Sequence, residues 1–289
     1  MTPADLLAAF SDFAFMRRAL AGCLVLSVAA APVGVFLMLR RLSLTGDAMA
    51  HAILPGVAAG YLLAGLNLWA MTAGGLAAGL AIALLASAVT RLTPLREDAS
   101  LATLYLVSLA LGVILISARG SAVDVMHLLF GSVLAIDDTA LIFIGIVASI
   151  TVIAFAVLWR PLVLECVDPG FLKAVGGRGA VIHVAFMLVM VLNLIAGVQA
   201  LGTLLSVGLM MLPAASARFW TRSLGAMTAL AMVFAALSSV AGLTASFAAN
   251  LPSGPAIIVA AGILYALSIA FGPTGGLIAR LRPARHRTG

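Results

Sequence analysis

Two ionisable side chains stand four residues apart at the start of a long uncharged stretch, and together they could bind a metal ion. Asp47 and His51 belong to Leu42–Gly56, which reads LSLTGDAMAHAILPG. Residues at i and i+4 of a helix project from the same face, one turn apart. A carboxylate oxygen and an imidazole nitrogen placed in this way can share one divalent cation such as zinc, manganese or iron.

The surroundings of this pair suit a site that water or another helix can approach. Small residues flank both side chains, and Pro55 removes a backbone hydrogen bond, which should loosen the helix just beyond His51. In a structural alternative, Asp47 hydrogen-bonds His51, and the pair only holds two helices together without binding a metal. Two ligands also leave the coordination sphere incomplete, because zinc usually takes about four ligands and manganese about six. The sequence does not identify the others.

The remaining histidines, cysteines and methionines are weaker candidates. His127 could contact a metal transiently from an external loop, whereas His183 and His286 fit ordinary interfacial positions. Cys23 and Cys166 form neither a disulfide framework nor a zinc motif. Four methionines are expected to be packing residues, namely Met187, Met190, Met210 and Met211.

Nucleotide chemistry has no motif in this chain. A phosphate-binding loop of the form Gly-x-x-x-x-Gly-Lys-Ser/Thr is missing, and Lys173 is the only lysine. ATP hydrolysis cannot be assigned to the chain, and we do not expect it to be an enzyme.

The elements that position the candidate ligands must be membrane helices. The chain has 289 residues, of which 64% are hydrophobic and 9% charged, and its mean hydropathy is +1.22. In a soluble domain about a quarter of the residues are charged, so this composition excludes a soluble domain. It excludes disordered and coiled-coil proteins as well, because both need more polar residues than this chain has. A membrane barrel would alternate polar and apolar residues. The expected fold class is therefore all-α, a polytopic protein surrounded by membrane lipid.

Uncharged stretches predict about nine transmembrane helices. Because a helix needs about 20 apolar residues to cross the hydrocarbon core, six stretches hold one, two, one, one, two and two spans in chain order. Turn residues place the breaks within the double stretches at Gly65–Asn67, Gly197–Gln199 and Asn250–Pro255. The six stretches are 19–39, 48–90, 99–118, 139–159, 179–217 and 223–279.

Basic residues predict the direction of these spans. If the loop at Arg40 is placed in the cytoplasm and successive loops alternate between the two sides of the membrane, 13 of the 16 Lys and Arg residues lie inside. The three that lie outside are Arg17, Arg18 and Arg119. The N-terminus is then outside, and the C-terminus, with the basic tail 280–289, is in the cytoplasm. The net charge of +6 thus reports orientation, and nucleic acid is not an expected partner. In a competing interpretation, Arg17, Arg18 and Ala29–Ala31 belong to a cleaved secretory signal, which would invert every later loop.

A polar segment on the cytoplasmic side runs from Arg160 to Gly179. Asp168 and Pro169 have the residue types of an N-cap and a first helical position, and Gly176–Gly177 would end the helix. We expect a short amphipathic helix along the membrane surface, the alternative being a simple connector. Its apolar face would consist of Phe171, Leu172 and Val175.

Six segments, in order along the chain, resemble motifs of one known family, the membrane permeases of ABC importers for zinc, manganese and iron. Arg40–Gly56 looks like the family's most recognisable stretch. Leu128–Ser132 is similar to its external loop motif and Val167–Phe171 to its coupling segment. The likeness covers nearly the whole chain. Three later matches are Leu201–Leu205, Leu212–Arg218 and Leu251–Pro255.

The resemblance implies one permease domain over residues 1–289, forming a homodimer around a central pathway in the bacterial cytoplasmic (inner) membrane. Two cytoplasmic ABC ATPase subunits would hold the ATP, and an external metal-binding protein would deliver the ion. The divalent metal is then transported cargo, and no covalently bound cofactor is implied. Asp47 and His51 would line the transport site. The helix docking into the ATPase would comprise Asp168, Pro169, Gly170, Phe171 and Leu172.

Two departures from the family pattern and two competing functions remain. Ala50 stands where the family often has Ser, which removes a hydroxyl beside the pair, and Gly170 replaces a commonly acidic residue. An ATP-independent carrier or channel is an alternative. Leu54–Ala59 and Leu212–Ala217 faintly echo an inverted repeat of the kind found in carriers, but ABC permeases also contain internal repeats, so the echo does not discriminate. A third possibility is an assembly or sensory protein without flux. One carboxylate and one imidazole suit zinc, manganese and iron equally.

Overall fold

The computed structural model describes residues 10, 12–65, 67–117, 133–174, 177 and 179–281. Within these ranges every regular element is helical, including a 3₁₀ turn at Val133–Ala135, which confirms the all-α expectation for them. In chain order the α-helices are α1 Ala14–Leu39, α2 Thr45–Ala52, α3 Leu54–Ala64, α4 Leu68–Leu92, α5 Glu97–Ser117, α6 Asp138–Val167, α7 Pro169–Ala174, α8 Gly179–Leu201, α9 Thr203–Arg218, α10 Leu224–Ala249, α11 Ser253–Phe271 and α12 Leu277–Leu281.

Seven of the described segments are long and apolar enough to cross a membrane. They are α1, α2 together with α3, α4, α6, α8, α10 and α11. The two other predicted spans correspond to shorter apolar helices, Ala99–Leu115 within α5 and Thr203–Arg218, which is α9. The structure therefore supports a multi-pass helical protein, and the count of nine spans stays a prediction.

Two of the three predicted breaks between paired spans are confirmed. Gly65 adopts a φ of +66°, and the Asn67 side chain caps α4 by accepting hydrogen bonds from the N–H groups of Trp69 and Ala70. Asn250 ends α10 with a φ of 50°, in the left-handed region that Asn tolerates.

The break predicted at Gly197–Gln199 is wrong. Helix α8 continues to Leu201, and Gly202 makes the turn with a φ of 88°. Gly197 has a different role, because a Cβ at this position would collide with the side chain of Ser206 on α9. It allows close packing of two helices, whereas Gly202 supplies the backbone conformation of the turn.

Helix α1 forms the centre of the bundle, where it packs against α6, α8, α9 and α10. Its Phe36 ring is fully buried and contacts the rings of Phe155 and Trp159 on α6 and Phe186 on α8. Cleavage after Ala31, as in the secretory-signal interpretation, would remove much of this central helix.

Helix α6 extends well beyond the predicted span 139–159. It continues through Pro161 to Val167. Pro161 removes one backbone hydrogen bond, yet the helix continues, and Leu162 beside it is buried at 1% exposure. The first part of the polar segment predicted on the cytoplasmic side is therefore a continuation of α6, and Glu165 lies on this helix.

Candidate metal centre

The two candidate ligands lie on α2, a helix of eight residues. Nε2 of His51 is 3.9 Å from Oδ1 of Asp47, and the two side chains are 28% and 63% exposed. This separation is too long for a hydrogen bond, so the Asp–His tie of the structural alternative is not formed. The separation is compatible with one first-row metal ion bound to both atoms, because each such bond is roughly 2.0–2.2 Å long.

A break in the helix lies directly beyond His51, as Pro55 predicts. Helix α2 ends at Ala52, Ile53 forms a turn, and Pro55 lies in the first turn of α3. Proline has no N–H to donate to the carbonyl of His51, which interrupts the helical hydrogen bonds. Gly112 of α5 packs against the break, since a Cβ there would lie 3.1 Å from the nitrogen of Pro55.

One face of α5 packs against His51 and Ala52, and no motif in the sequence indicates this contact. The hydroxyl of Ser108 donates a 2.8 Å hydrogen bond to the carbonyl oxygen of Ala52. The ring of Tyr105 stacks on the imidazole of His51, with centroids 6.3 Å apart and an interplanar angle of 30°. Tyr105, Ser108 and Gly112 recur at helical spacing, which places all three on the same face.

The two nitrogens of His51 have different surroundings. Nε2 faces Asp47, whereas Nδ1 is buried and has no hydrogen-bond partner among the described residues. Nε2 is thus the nitrogen positioned to bind a cation together with the carboxylate.

Ala50 differs from the pair in its burial. Its side chain is completely buried, whereas that of Asp47 is exposed. Residues 47 and 50 lie within one turn of α2, so the loss of a hydroxyl contact beside the pair at Ala50 stays a prediction.

The described residues supply only part of a coordination sphere. Among the residues that the structure describes, no group of three or more His, Cys, Asp or Glu side chains could hold a metal. The Asp47 carboxylate opens to the outside of the protomer. A complete site needs ligands from water, from a second protomer or from the rest of the chain.

Among the described residues, the weaker candidates join no cluster of metal-binding side chains. Met187, Met190 and Met210 are 3%, 0% and 1% exposed, which confirms that they are packing residues. His183 is not an isolated interfacial residue, because its Nδ1 lies 3.3 Å from Nη1 of Arg40. The predicted features outside the described residues are His127, Leu128–Ser132, Val175, Gly176 and His286.

The short helix predicted after Asp168 is present as α7, and its role in coupling stays a prediction. Oδ1 of Asp168 accepts a 2.8 Å hydrogen bond from the N–H of Phe171, and Pro169 is the first helical residue, as the sequence predicts. Gly170 is exposed. Phe171 is 52% exposed, whereas Leu172 is 5% exposed and belongs to the core. Phe171 therefore lies at the surface, and Leu172 anchors α7 to the bundle.

Comparison with known sequences finds similarity over most of the chain. The sequence pattern of the ABC 3 transport family matches residues 12–272. The manganese transport system membrane protein MntC of Halalkalibacterium halodurans is 33% identical over 273 residues, which cover 93% of this chain and 91% of that protein. The chelated iron transport system membrane protein YfeC of Yersinia pestis is 26% identical over 277 residues, covering 96% and 92%.

A solved structure has the same fold. PsaBC from Streptococcus pneumoniae, in complex with Fab, superposes with a TM-score of 0.85 at 30% sequence identity, covering 94% of this chain and 97% of that chain. The family match includes α2, with Asp47 and His51, and α7.

Proposed function

Because the chain belongs to the ABC 3 transport family, as a membrane permease of a metal importer, we propose that it carries a divalent transition metal across the bacterial cytoplasmic (inner) membrane. ATP is hydrolysed on separate cytoplasmic subunits, and an external metal-binding protein delivers the ion. The relatives named for manganese make manganese the first metal to test, ahead of iron and zinc.

The position of Asp47 and His51 carries this proposal. Both side chains reach the surface of the protomer at a break in a membrane helix, where a cation could arrive. Ionisable residues inside membrane segments are costly and commonly mark ion pathways.

A homodimer would complete the site. In a two-fold symmetric dimer the same surface of each protomer meets its copy, so a second Asp47 and a second His51 would face the first pair. Two carboxylates and two imidazoles match the usual number of zinc ligands, and added water would complete the larger sphere of manganese.

Retention of an ATPase is the experiment that separates this function from an ATP-independent carrier or channel. Affinity purification of the tagged chain from its native membrane should retain an ABC ATPase in equal proportion. Purification of an active metal carrier without any ATPase would refute the proposal.

Replacing Phe171 by alanine is expected to uncouple the ATPase without preventing membrane insertion. If the exposed ring enters a groove on the ATPase, its loss should cost about 2 kcal/mol of docking free energy, roughly a 30-fold loss in affinity. Metal-stimulated ATP turnover of the complex measures the effect. Phe271→Ala is the control, because Phe271 is 61% exposed on a different helix. Unchanged turnover in Phe171→Ala would show that α7 is a connector.

The basic tail provides a test of orientation. In a background without Cys23 and Cys166, Arg285→Cys should resist an impermeant maleimide in intact cells and react after permeabilisation, because the positive-inside rule places it in the cytoplasm. Leu251→Cys, in the loop predicted to lie outside, is the positive control. Labelling of Arg285→Cys in intact cells would reverse the proposed topology.

A further inference from the structure

A buried ion pair joins the ends of α1 and α6 nearest α7. The guanidinium of Arg40, at the C-terminal cap of α1, pairs through Nη2 with Oε2 of Glu165 on α6. The two side chains are only 8% and 15% exposed. The guanidinium also lies 4.8 Å from the ring centroid of Phe186 on α8, with Cys166 beside it. Arg40 is thus enclosed by three helices.

His183 extends this cluster to a fourth helix. Its Nδ1 lies 3.3 Å from Nη1 of Arg40, and its Nε2 lies 3.4 Å from Oγ of Ser87 on α4. A guanidinium can only donate hydrogen bonds, so Nδ1 accepts and the ring proton is on Nε2, directed at Ser87. Four helices, α1, α4, α6 and α8, therefore meet through one arginine.

Helix cohesion alone does not account for this arrangement. Removing two charges from water is costly, and apolar replacements of buried ion pairs are often neutral or stabilising. The same helices already pack through apolar contacts such as that of Phe36 with Phe155. The place of the ion pair in the chain suggests a second role.

The Glu165 side of the ion pair lies next to α7 in the chain. Glu165 lies one helical turn before Asp168, whose N–H donates a 2.8 Å hydrogen bond to the carbonyl of Leu164 at the end of α6. Leu172 of α7 is buried, and its carbonyl accepts a 2.8 Å hydrogen bond from the N–H of Gly177. Only Asp168 separates α6 from α7, so a displacement of α7 would act on the end of α6 that carries Glu165.

The Arg40 side of the ion pair lies at the turn that precedes α2, the helix of Asp47 and His51. Helix α1 ends in a Schellman motif, in which the N–H of Leu42 donates to the carbonyl of Leu37 at 2.9 Å and the N–H of Arg41 donates to that of Met38 at 3.1 Å. Arg41 has a φ of 60°, which favours glycine. Leu42 is buried, so the turn from Arg40 into α2 is held in place.

We propose that Arg40 and Glu165 are coupling residues of the transport cycle. Their ion pair is a rigid link through which α7 moves the turn after α1, and hence the helix that carries Asp47 and His51. The assignment rests on the proposed function, because it requires an ATPase that acts on α7. Neither residue touches the metal, and both act by positioning α2.

The test uses the complete complex, with its ATPase and metal-binding protein, in proteoliposomes. The double variant Arg40→Gln/Glu165→Gln removes both charges together, so no unpaired charge stays buried. We expect assembly, basal ATP hydrolysis and Mn²⁺ affinity to be retained. The number of Mn²⁺ ions imported per ATP hydrolysed should fall by about fivefold or more, the size of a typical coupling effect.

A matched control is available on the same two helices. Arg18 of α1 pairs with Asp138 of α6 at the opposite end of the bundle, with Nε and Oδ1 2.7 Å apart and side chains 41% and 71% exposed. The double variant Arg18→Gln/Asp138→Asn also removes an ion pair between α1 and α6, but far from α7. It should import Mn²⁺ with the parental ratio to ATP.

Arg40→Lys keeps the positive charge but lacks the planar guanidinium group that contacts Glu165 and His183 together. The number of Mn²⁺ ions that this variant imports per ATP hydrolysed should therefore also fall. A parental ratio in the assembled double variant, or in Arg40→Lys if the double variant does not assemble, overturns the assignment. Equal losses in the control pair overturn it too, since they indicate a general loss of helix packing. If neither Arg40 variant assembles, the pair is a folding element and not a coupling link. A parental complex that imports no metal refutes the proposed function instead.

Discussion

Asp47→Asn should abolish metal import by a complex that still assembles. Asparagine preserves the size of the side chain and much of its hydrogen bonding, but it removes the only negative charge near His51 on α2. Mutation of residues that only hydrogen-bond to a metal ligand already lowers metal affinity by about 10- to 100-fold. Loss of a ligand itself should therefore lower metal affinity by about 100-fold or more. Mn²⁺ uptake by the reconstituted complex, with the amount of assembled complex measured in parallel, tests this.

The control for this experiment is Asp138→Asn, which neutralises an exposed carboxylate at the surface, where ion pairs contribute little. Its uptake should match the parent. His51→Ala should also abolish import, and the double variant with Asp47→Asn should be no worse than either single change, because each already breaks a shared site. Parental uptake by assembled Asp47→Asn would leave the pair with a structural role only.

Gly56→Leu should prevent the permease from folding stably. Helices α3 and α4 approach so closely that a Cβ on Gly56 would meet the carbonyl oxygen of Gly74 and lie 2.6 Å from the Cβ of Ala78. Backbone atoms cannot move aside as a flexible side chain can. The added volume should therefore cost about 3 kcal/mol or more, at the high end for overpacking. The yield of monodisperse protein in detergent and its thermal unfolding measure the effect.

Gly145→Leu is the matched control for this change. Gly145 also lies in a membrane helix, α6, but a Cβ there would have no heavy atom within 4 Å. A leucine at this position should face lipid and leave yield and unfolding temperature unchanged. Equal behaviour of the two variants would show that the close contact of α3 with α4 is not needed for stability.

The sequence was informative where one residue type determines the outcome locally. A carboxylate and an imidazole in an apolar stretch stand out because ionisable groups inside a membrane are costly. Pro55 predicts the break after α2 because proline cannot donate a backbone hydrogen bond. Asp168 and Pro169 predict the start of α7 for similar local reasons.

The sequence was uninformative where contacts between distant helices decide. Nothing near Ser108 in the chain shows that its hydroxyl reaches the carbonyl of Ala52, 56 positions away in sequence. Gly197 and Gly202 look alike as turn residues, and only the proximity of Ser206 to the first separates their roles. The sequence places Glu165 in a polar segment but does not indicate its ion pair, because the partner, Arg40, lies on another helix.

ATP-dependent transport of Mn²⁺ across the membrane is the most direct measurement of the proposed function. Proteoliposomes would contain the permease with its ATPase inside-out, so that ATP is added from the bath, and the metal-binding protein and Mn²⁺ would be enclosed in the lumen. Mn²⁺ should leave the lumen only when ATP and the metal-binding protein are both present, and Asp47→Asn should stop this flux. Equal Mn²⁺ flux without ATP would contradict an ATP-driven importer and indicate a carrier or channel.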